Sequence, residues 1–135
     1  MNPASHQTEV LSIMRLAPVI PVLTVRDAED GVAQARALVA GRRCVAIFAA
    51  MRNKDVVSMA AGLRELTSEI VVTAPAVERA TAPEELSGLF DPPAAIEPDV
   101  TSALDHARRL AGHDGVVVVC GSLYLAGEVL DLLGV

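Results

Sequence analysis

Aromatic residues are almost absent from this chain of 135 residues: they make up 2% of it, with no Trp, one Tyr and two Phe. The 52% of apolar residues are therefore nearly all aliphatic, and any core must be built from Val, Leu, Ile and Ala. So much apolar content excludes an intrinsically disordered chain, which combines low hydrophobicity with high net charge. The length fits a single domain over residues 1–135 and is too short for two ordinary ones.

Basic residues are scarce too, since the chain has 11 Lys and Arg against 17 Asp and Glu. The net charge of −6 argues against a nucleic-acid partner.

The two cysteines, Cys44 and Cys120, lack the close spacing of metal ligands and lie in apolar runs, as buried core residues do. The histidines also fit no metal-ligand spacing. No apolar run approaches the ~20 residues that span a bilayer, and Met1–Thr8 does not resemble a signal peptide. We therefore expect a cytoplasmic protein without a membrane partner.

Regular secondary-structure signals are plentiful. Five apolar, β-branched runs predict strands: Ala17–Val25, Cys44–Ala50, Ile70–Ala74, Ala94–Glu97 and Gly115–Cys120. Apolar residues at helical spacing predict helices at Glu9–Leu16, Ala28–Val39, Asp55–Leu66, Pro83–Phe90, Asp99–Ala111 and Ser122–Leu133. Nearly continuous apolar strands that alternate with helices are typical of a parallel sheet covered on both faces.

This pattern predicts a three-layer, doubly wound α/β fold with five parallel strands after a short helix, either flavodoxin-like or Rossmann-like. The expected strand order is 2-1-3-4-5, which places the first strand between the second and the third. A complete eight-stranded barrel is excluded by the length, since it needs about 200 residues or more.

One resemblance covers the first third of the chain. Ser12–Gly41, which contains VIPVLTV and DAEDGVAQARALVAG, resembles the opening βα unit of 2-keto-3-deoxy-6-phosphogluconate aldolases. These are class I aldolases on a TIM barrel, and the resemblance implies an aldolase-like segment over residues 1–42.

A second resemblance covers the remaining two thirds, residues 43–135. Three separated motifs, CVAIFAAMRNKD, IVVTAPAVERA and GSLYLAGEV, are similar in sequence and order to the carboxy-terminal domain of folylpolyglutamate synthase/dihydrofolate synthase. The family's F-G is here Phe48-Ala49, and Asn53 stands where Asp is common. The resemblance implies a ligase domain that contributes to nucleotide and glutamate sites.

Neither family's active site is whole in this sequence. The D-G-A-H-N-P loop and the P-loop of the synthases are missing, as are the catalytic Glu motif and the later Schiff-base Lys of the aldolases. Our primary hypothesis is therefore an engineered chimera without native catalytic function, joined near Gly41–Arg43. One alternative is a remnant nucleotide- and glutamate-binding domain of a folylpolyglutamate synthase. The other is residual aldolase activity through Lys54, the sole lysine.

Two strand–helix junctions are the candidate ligand sites, because open α/β sheets bind ligands at the carboxyl ends of their strands. Arg52, Lys54 and Asp55 follow the second predicted strand, and Ser122 follows the last. We expect adventitious phosphate or sulfate binding there at most, with no cofactor, no specific partner, and a monomer or weak homodimer. The structural alternative is that Asn53 or Asp55, and likewise Ser122, simply cap the next helix.

Overall fold

A parallel β-sheet forms the centre of the protein. The structure, a computed structural model, describes residues 19–21, 36, 37, 39, 41–52 and 54–134. The strands are β1 (Val19–Pro21), β2 (Cys44–Phe48), β3 (Glu69–Val72), β4 (Ala95–Ile96) and β5 (Val116–Cys120). They lie in the order β1-β5-β2-β3-β4, and every neighbouring pair is parallel. The predicted α/β class with a parallel sheet is confirmed.

Four helices lie wholly within the described residues and cover these strands: α1 (Val56–Leu66), α2 (Pro83–Ser87), α3 (Val100–Ala111) and α4 (Leu123–Leu133). Their starts follow the sequence signals, with capping side chains before α1, α3 and α4 and a proline at the start of α2. Arg36, Ala37 and Val39 are helical, and the rest of the predicted helix Ala28–Val39 lies outside the described residues. The predicted helix Glu9–Leu16 lies wholly outside them.

The predicted strand order 2-1-3-4-5 is wrong. Among the described strands, the first lies at an edge of the sheet and pairs with β5 alone, Val19 opposite Val117, while β5 lies between β1 and β2. The reason is visible in the residue types. Pro21 has no backbone N–H to donate and suits an edge strand, whereas all five residues of β5 are buried, as an interior strand requires.

The core consists of two apolar layers, one on each face of the sheet. Alternate residues of β2 point to opposite layers, with Val45 and Ile47 on one face and Ala46 and Phe48 on the other. The first layer is closed by apolar residues of α3 and α4: Val100, Ala103, Leu104, Ala107, Ala111, Leu125 and Val129. The second is closed by residues of α1, of α2 and of the turn after it: Ala60, Leu63, Leu86 and Phe90. The described residues thus form three layers.

None of the helices in the described part of the chain is long and apolar enough to cross a bilayer.

Candidate functional site

Three segments meet at the carboxyl edge of the sheet, where parallel strands all end. The β2–α1 segment is 49–55, the β3–α2 segment is 73–82, and the β5–α4 turn is Gly121-Ser122. We refer to these three segments together as the carboxyl edge. Because ligands of open α/β sheets bind at this edge, its contacts decide what the protein can hold.

The β2–α1 and β3–α2 segments pair with each other as a short antiparallel ribbon. Met51 forms an antiparallel bridge with Ala80. The backbone N–H of Arg52 donates to the carbonyl of Arg79 at 2.7 Å, and that of Thr81 donates to the carbonyl of Ala50 at 2.8 Å. The two segments therefore form one unit rather than two independent loops.

The β5–α4 turn is packed tightly against the same unit. Gly121 adopts a φ of +102°, and a Cβ placed there would overlap the carbonyl oxygen of Ala49 and lie 2.9 Å from the Phe48 ring. The backbone N–H of Ala49 also donates to the carbonyl of Cys120 at 3.3 Å. Only glycine fits this position without strain.

Two of the predicted site residues serve as helix caps. Asp55 accepts hydrogen bonds from the side chain and backbone of Ser58, at 2.7 and 3.2 Å, and these bonds lower the pKa of its carboxyl group. Ser122 is buried, and its Oγ accepts from the backbone N–H groups of Tyr124 at 3.1 Å and Leu125 at 3.3 Å. Both side chains therefore stabilise helix starts, as the structural alternative states.

The other two predicted site residues, Arg52 and Lys54, are exposed on the β2–α1 segment. Asn53, which stands between them, lies outside the described residues. A Schiff-base lysine is commonly desolvated in an apolar pocket. Lys54 is exposed rather than buried, so its position gives the aldolase alternative no support.

Arg79 is a site residue that the sequence analysis did not single out, although the motif IVVTAPAVERA contains it. The backbone N–H of Arg52 donates to its carbonyl, so the two residues are neighbours, and both are exposed. Sequence alone could not pair the two arginines, because their proximity depends on two loops meeting in the folded chain.

A carboxylate from α4 holds the β3–α2 segment in place. Glu128 accepts a hydrogen bond from the backbone N–H of Ala76 through Oε2 at 3.0 Å. At the start of the same segment, the backbone N–H of Thr73 donates to the carbonyl of Phe48 at 3.1 Å. Thr73 is fully buried, and its hydroxyl has no hydrogen-bond partner among the described residues.

The described part of the chain contains neither a cluster of metal ligands nor a reactive thiol. No three His, Cys, Asp or Glu side chains there are grouped to hold a metal ion. Cys44 and Cys120 are buried free thiols, as predicted. Burial raises the pKa of Cys44 to about 11 and that of Cys120 to about 12. Both groups therefore stay protonated and unreactive near neutral pH.

The sheet and the helices on its two faces form three layers. This arrangement defines an α/β protein of the class that binds ligands at the carboxyl ends of its strands. Comparison with known proteins gives the family within that class. The chain belongs to the Mur ligase, glutamate ligase domain family, whose profile matches residues 24–123. This match includes all three segments of the carboxyl edge.

The relatives agree with this family. A curated protein from Haloferax volcanii, a probable bifunctional folylpolyglutamate synthase/dihydropteroate synthase, is 39% identical over 86 residues, which are 61% of this chain and 10% of the relative. Two solved structures share the fold at 23% identity. They are folylpolyglutamate synthase from Mycobacterium tuberculosis (TM-score 0.69, 82% of this chain, 28% of that chain) and bifunctional folylpolyglutamate synthase/dihydrofolate synthase from Yersinia pestis (0.73, 85% and 28%).

The comparisons support the synthase resemblance and do not show the aldolase part of the chimera. The family match begins at residue 24 and runs through the join expected near Gly41–Arg43. A third synthase structure, at 21% identity and a TM-score of 0.74, covers the entire chain. The alternative hypothesis, a folylpolyglutamate synthase domain, is therefore better supported than the chimera.

Proposed function

We propose that this chain is the ligand-binding glutamate ligase module of a folylpolyglutamate synthase-type enzyme. Its carboxyl edge holds anionic groups of the nucleotide or of glutamate next to a separate ATP-binding domain. The observation that carries the proposal is that the family match, residues 24–123, contains the strands and loops that build this edge. The expected ligands come from the relatives, whose solved structures hold ADP, or AMPPNP with manganese and L-glutamate.

The chain matches only part of each relative. It spans about a tenth of the curated relative, and 28% to 32% of the solved synthases described above. Its sequence contains no G-x-x-x-x-G-K-[ST] motif, the loop that cradles ATP phosphates. Phosphoryl chemistry therefore requires a P-loop domain outside these 135 residues, and we assign to this chain the holding of ligand rather than ATP hydrolysis.

The charge distribution supports anion binding. Although the net charge of the chain is −6, the paired segments of the carboxyl edge carry Arg52, Lys54 and Arg79, all exposed. The same edge also carries the carboxylates of Asp55, Glu78 and Glu128, which keep their charge when they accept hydrogen bonds from neutral donors. Anion binding therefore depends on direct contacts with the basic side chains, whose charge-assisted hydrogen bonds are strong.

Apolar exposure beside this edge supports a partner domain. Val57 in the first turn of α1 is 62% exposed, and Leu123 and Tyr124 in the first turn of α4 are 64% and 57% exposed. The two helices cover opposite faces of the sheet, but both begin at the carboxyl edge, and exposed apolar side chains at such an edge suit contact with another domain. We therefore assign this side of the molecule to contact with the ATP-binding domain.

The proposal is tested by isothermal titration calorimetry of the purified chain with ADP, AMPPNP with manganese, and L-glutamate. L-glutamine and pyruvate serve as controls. Glutamine lacks the side-chain carboxylate, and pyruvate probes the aldolase alternative. We expect saturable binding of a nucleotide or of L-glutamate, and weaker or no binding of the controls. Absence of binding by every nucleotide and by L-glutamate at millimolar concentration would overturn the proposal.

A further inference from the structure

A carboxylate of α4 ties the middle of the β3–α2 segment to the rest of the fold. Near its ends, this segment is fixed by backbone hydrogen bonds. Thr73 donates to β2 at 3.1 Å, and Thr81 donates to the β2–α1 segment at 2.8 Å. Between them, the backbone N–H of Ala76 donates to Oε2 of Glu128 at 3.0 Å, across 52 residues of chain. Glu128 therefore joins a loop of the carboxyl edge to the helix that follows β5.

The stretch 76–79 is the part of the segment that this contact supports. Pro75, just before it, is buried, whereas Ala76, Glu78 and Arg79 are exposed. Packing therefore does little to fix the stretch. Hydrogen bonds hold it at both ends, because the Ala76 N–H donates to Glu128 and the Arg79 carbonyl accepts from the N–H of Arg52 at 2.7 Å. The first of these two bonds depends on a side chain and can be removed by substitution.

The charge of Glu128 makes this contact strong but does not itself favour an anion. A hydrogen bond from a backbone N–H to a carboxylate is charge-assisted and about twice as strong as one between neutral groups. A carboxylate at an edge that holds anionic ligands also repels those ligands. Any benefit of Glu128 to anion binding must therefore come from the loop conformation that it maintains.

We propose that Glu128 is a positioning residue for ligand binding at the carboxyl edge. Its carboxylate keeps the stretch 76–79, which carries Arg79, in the conformation that binds ligand. Glu128 acts through this stretch and does not contact the ligand. The inference rests on the proposed function, because it names the residue that keeps a binding loop of that function in place. When the contact is lost, only the fraction of molecules with the loop in place binds, and the apparent affinity falls by that fraction.

Three replacements of Glu128 separate the position of its oxygen from its charge. Glu128→Gln has the same length and keeps an oxygen within reach of the Ala76 N–H, but it has no charge. Glu128→Asp keeps the charge, but its carboxylate lies one methylene group further from Ala76. Glu128→Ala removes both. The matched control is Asp131→Ala, which removes the same charge from an exposed position almost one turn further along α4.

Solvent exchange of the Ala76 amide, measured by NMR, reports the contact directly. We expect this amide to exchange about tenfold faster in Glu128→Ala and Glu128→Asp, the effect of losing one hydrogen bond to a charged group. In Glu128→Gln the increase should be about threefold, since a neutral acceptor forms a bond about half as strong. Exchange in β3 and within α4 should match that of the wild type, because the loop opens locally.

Affinity for L-glutamate and ADP reports the effect on binding. For the ligand that the wild type binds, we expect the affinity of Glu128→Ala and Glu128→Asp to fall by up to about tenfold. Glu128→Gln should bind more tightly than either, and Asp131→Ala should bind as the wild type does. Loss of a negative charge alone would strengthen the binding of an anion, so weaker binding by Glu128→Ala reports the position of the loop. The two alanine variants should melt at similar temperatures.

The outcomes separate this role from the proposed function. Unchanged ligand affinity in Glu128→Ala overturns the positioning role and leaves the proposed function standing, and so does unchanged exchange of the Ala76 amide. Wild-type behaviour of Glu128→Asp would assign the effect to charge and also overturn the role. Faster exchange throughout β3 and α4, with a lower melting temperature than Asp131→Ala, would show a general structural role instead. Absence of binding of both ligands by the wild type overturns the proposed function and this role together.

Discussion

The backbone of Gly121 lies against the carbonyl oxygen of Ala49, and no side chain fits between them. This contact packs the β5–α4 turn onto the β2–α1 segment, which in turn pairs with the β3–α2 segment. One close approach of two backbones thus holds together the three segments of the carboxyl edge. The proposed ligand site depends on this contact as well as on its charged residues.

Replacing Gly121 by alanine is the first prediction. The φ of +102° and the overlap with Ala49 force the turn to move, at a cost of about 2 kcal/mol in the free energy of unfolding. Gly127 is the matched control. It lies within α4, and a Cβ there meets nothing within 4 Å. Gly127→Ala is expected to stabilise by about 0.5–1 kcal/mol, because alanine favours the helix. Chemical denaturation measures both, and a neutral Gly121→Ala variant would contradict the close contact.

The Ser122 cap gives the second prediction. Its buried Oγ accepts from two backbone N–H groups of α4, so Ser122→Ala is expected to cost about 1 kcal/mol in the free energy of unfolding. Ser102 is the control, because its backbone N–H bonds to Asp99 and the cap of α3 does not need its hydroxyl. Ser102→Ala should change stability by less than about 0.5 kcal/mol. Equal effects of the two replacements in urea denaturation would show that the Ser122 hydroxyl is not a cap.

The buried thiols give the third prediction. Because the pKa of Cys120 is about 12 in the folded state and about 9.0 when exposed, the folded protein retains a proton that the unfolded chain releases above pH 9. The contribution of this thiol to the free energy of unfolding is therefore fully present below pH 9 and falls as the pH rises from 9 towards 12. We expect the free energy of unfolding of Cys120→Ala to fall less steeply than that of the wild type as the pH rises above 9.

Thiol labelling tests the same burial directly. An aromatic disulfide reagent at pH 8 should react with Cys44 and Cys120 only after unfolding in denaturant, because both thiols are buried and protonated in the native state. Rapid modification of native protein would show that at least one thiol is accessible.

Arg108 gives the fourth prediction. Its Nε and Nη2 are buried without a hydrogen-bond partner among the described residues, and burial lowers the pKa of its guanidinium. Arg108→Met removes these unpaired N–H groups from a half-buried side chain and keeps much of its volume, so we expect a gain of up to about 1 kcal/mol in stability. The exposed neighbour Arg109, replaced by Met, should change stability by less than about 0.5 kcal/mol. A clear loss at Arg108 would reveal a partner for its guanidinium.

Much of the local structure could be predicted from the sequence, because local signals determine it. The continuous apolar run that forms β5 predicted a buried strand, and Asp55 and Ser122 were recognised as cap candidates. The position of β1 was not predicted, since the expected order followed the commonest arrangement of this fold class. Pro21, which cannot donate a backbone hydrogen bond, was the available signal for an edge strand.

The candidate site was predicted only in part. Arg52 and Lys54 could be placed at a strand end from sequence because they directly follow an apolar run. Arg79 could not be added, since the hydrogen bond from the Arg52 N–H to its carbonyl depends on two loops that meet in the folded chain. Relations of this kind arise from tertiary packing, and no single-sequence pattern carries them.

The central claim, that the carboxyl edge of this glutamate ligase domain binds an anionic ligand, is tested most directly by mapping amide chemical-shift changes in an NMR titration with L-glutamate and ADP. The account predicts saturable shifts confined to the backbone amides of 49–52, 54–55, 73–74, 76–82 and 121–125. Shifts centred instead on the opposite edge, around Arg43 and Asp114, or no shifts at saturating ligand, would contradict it.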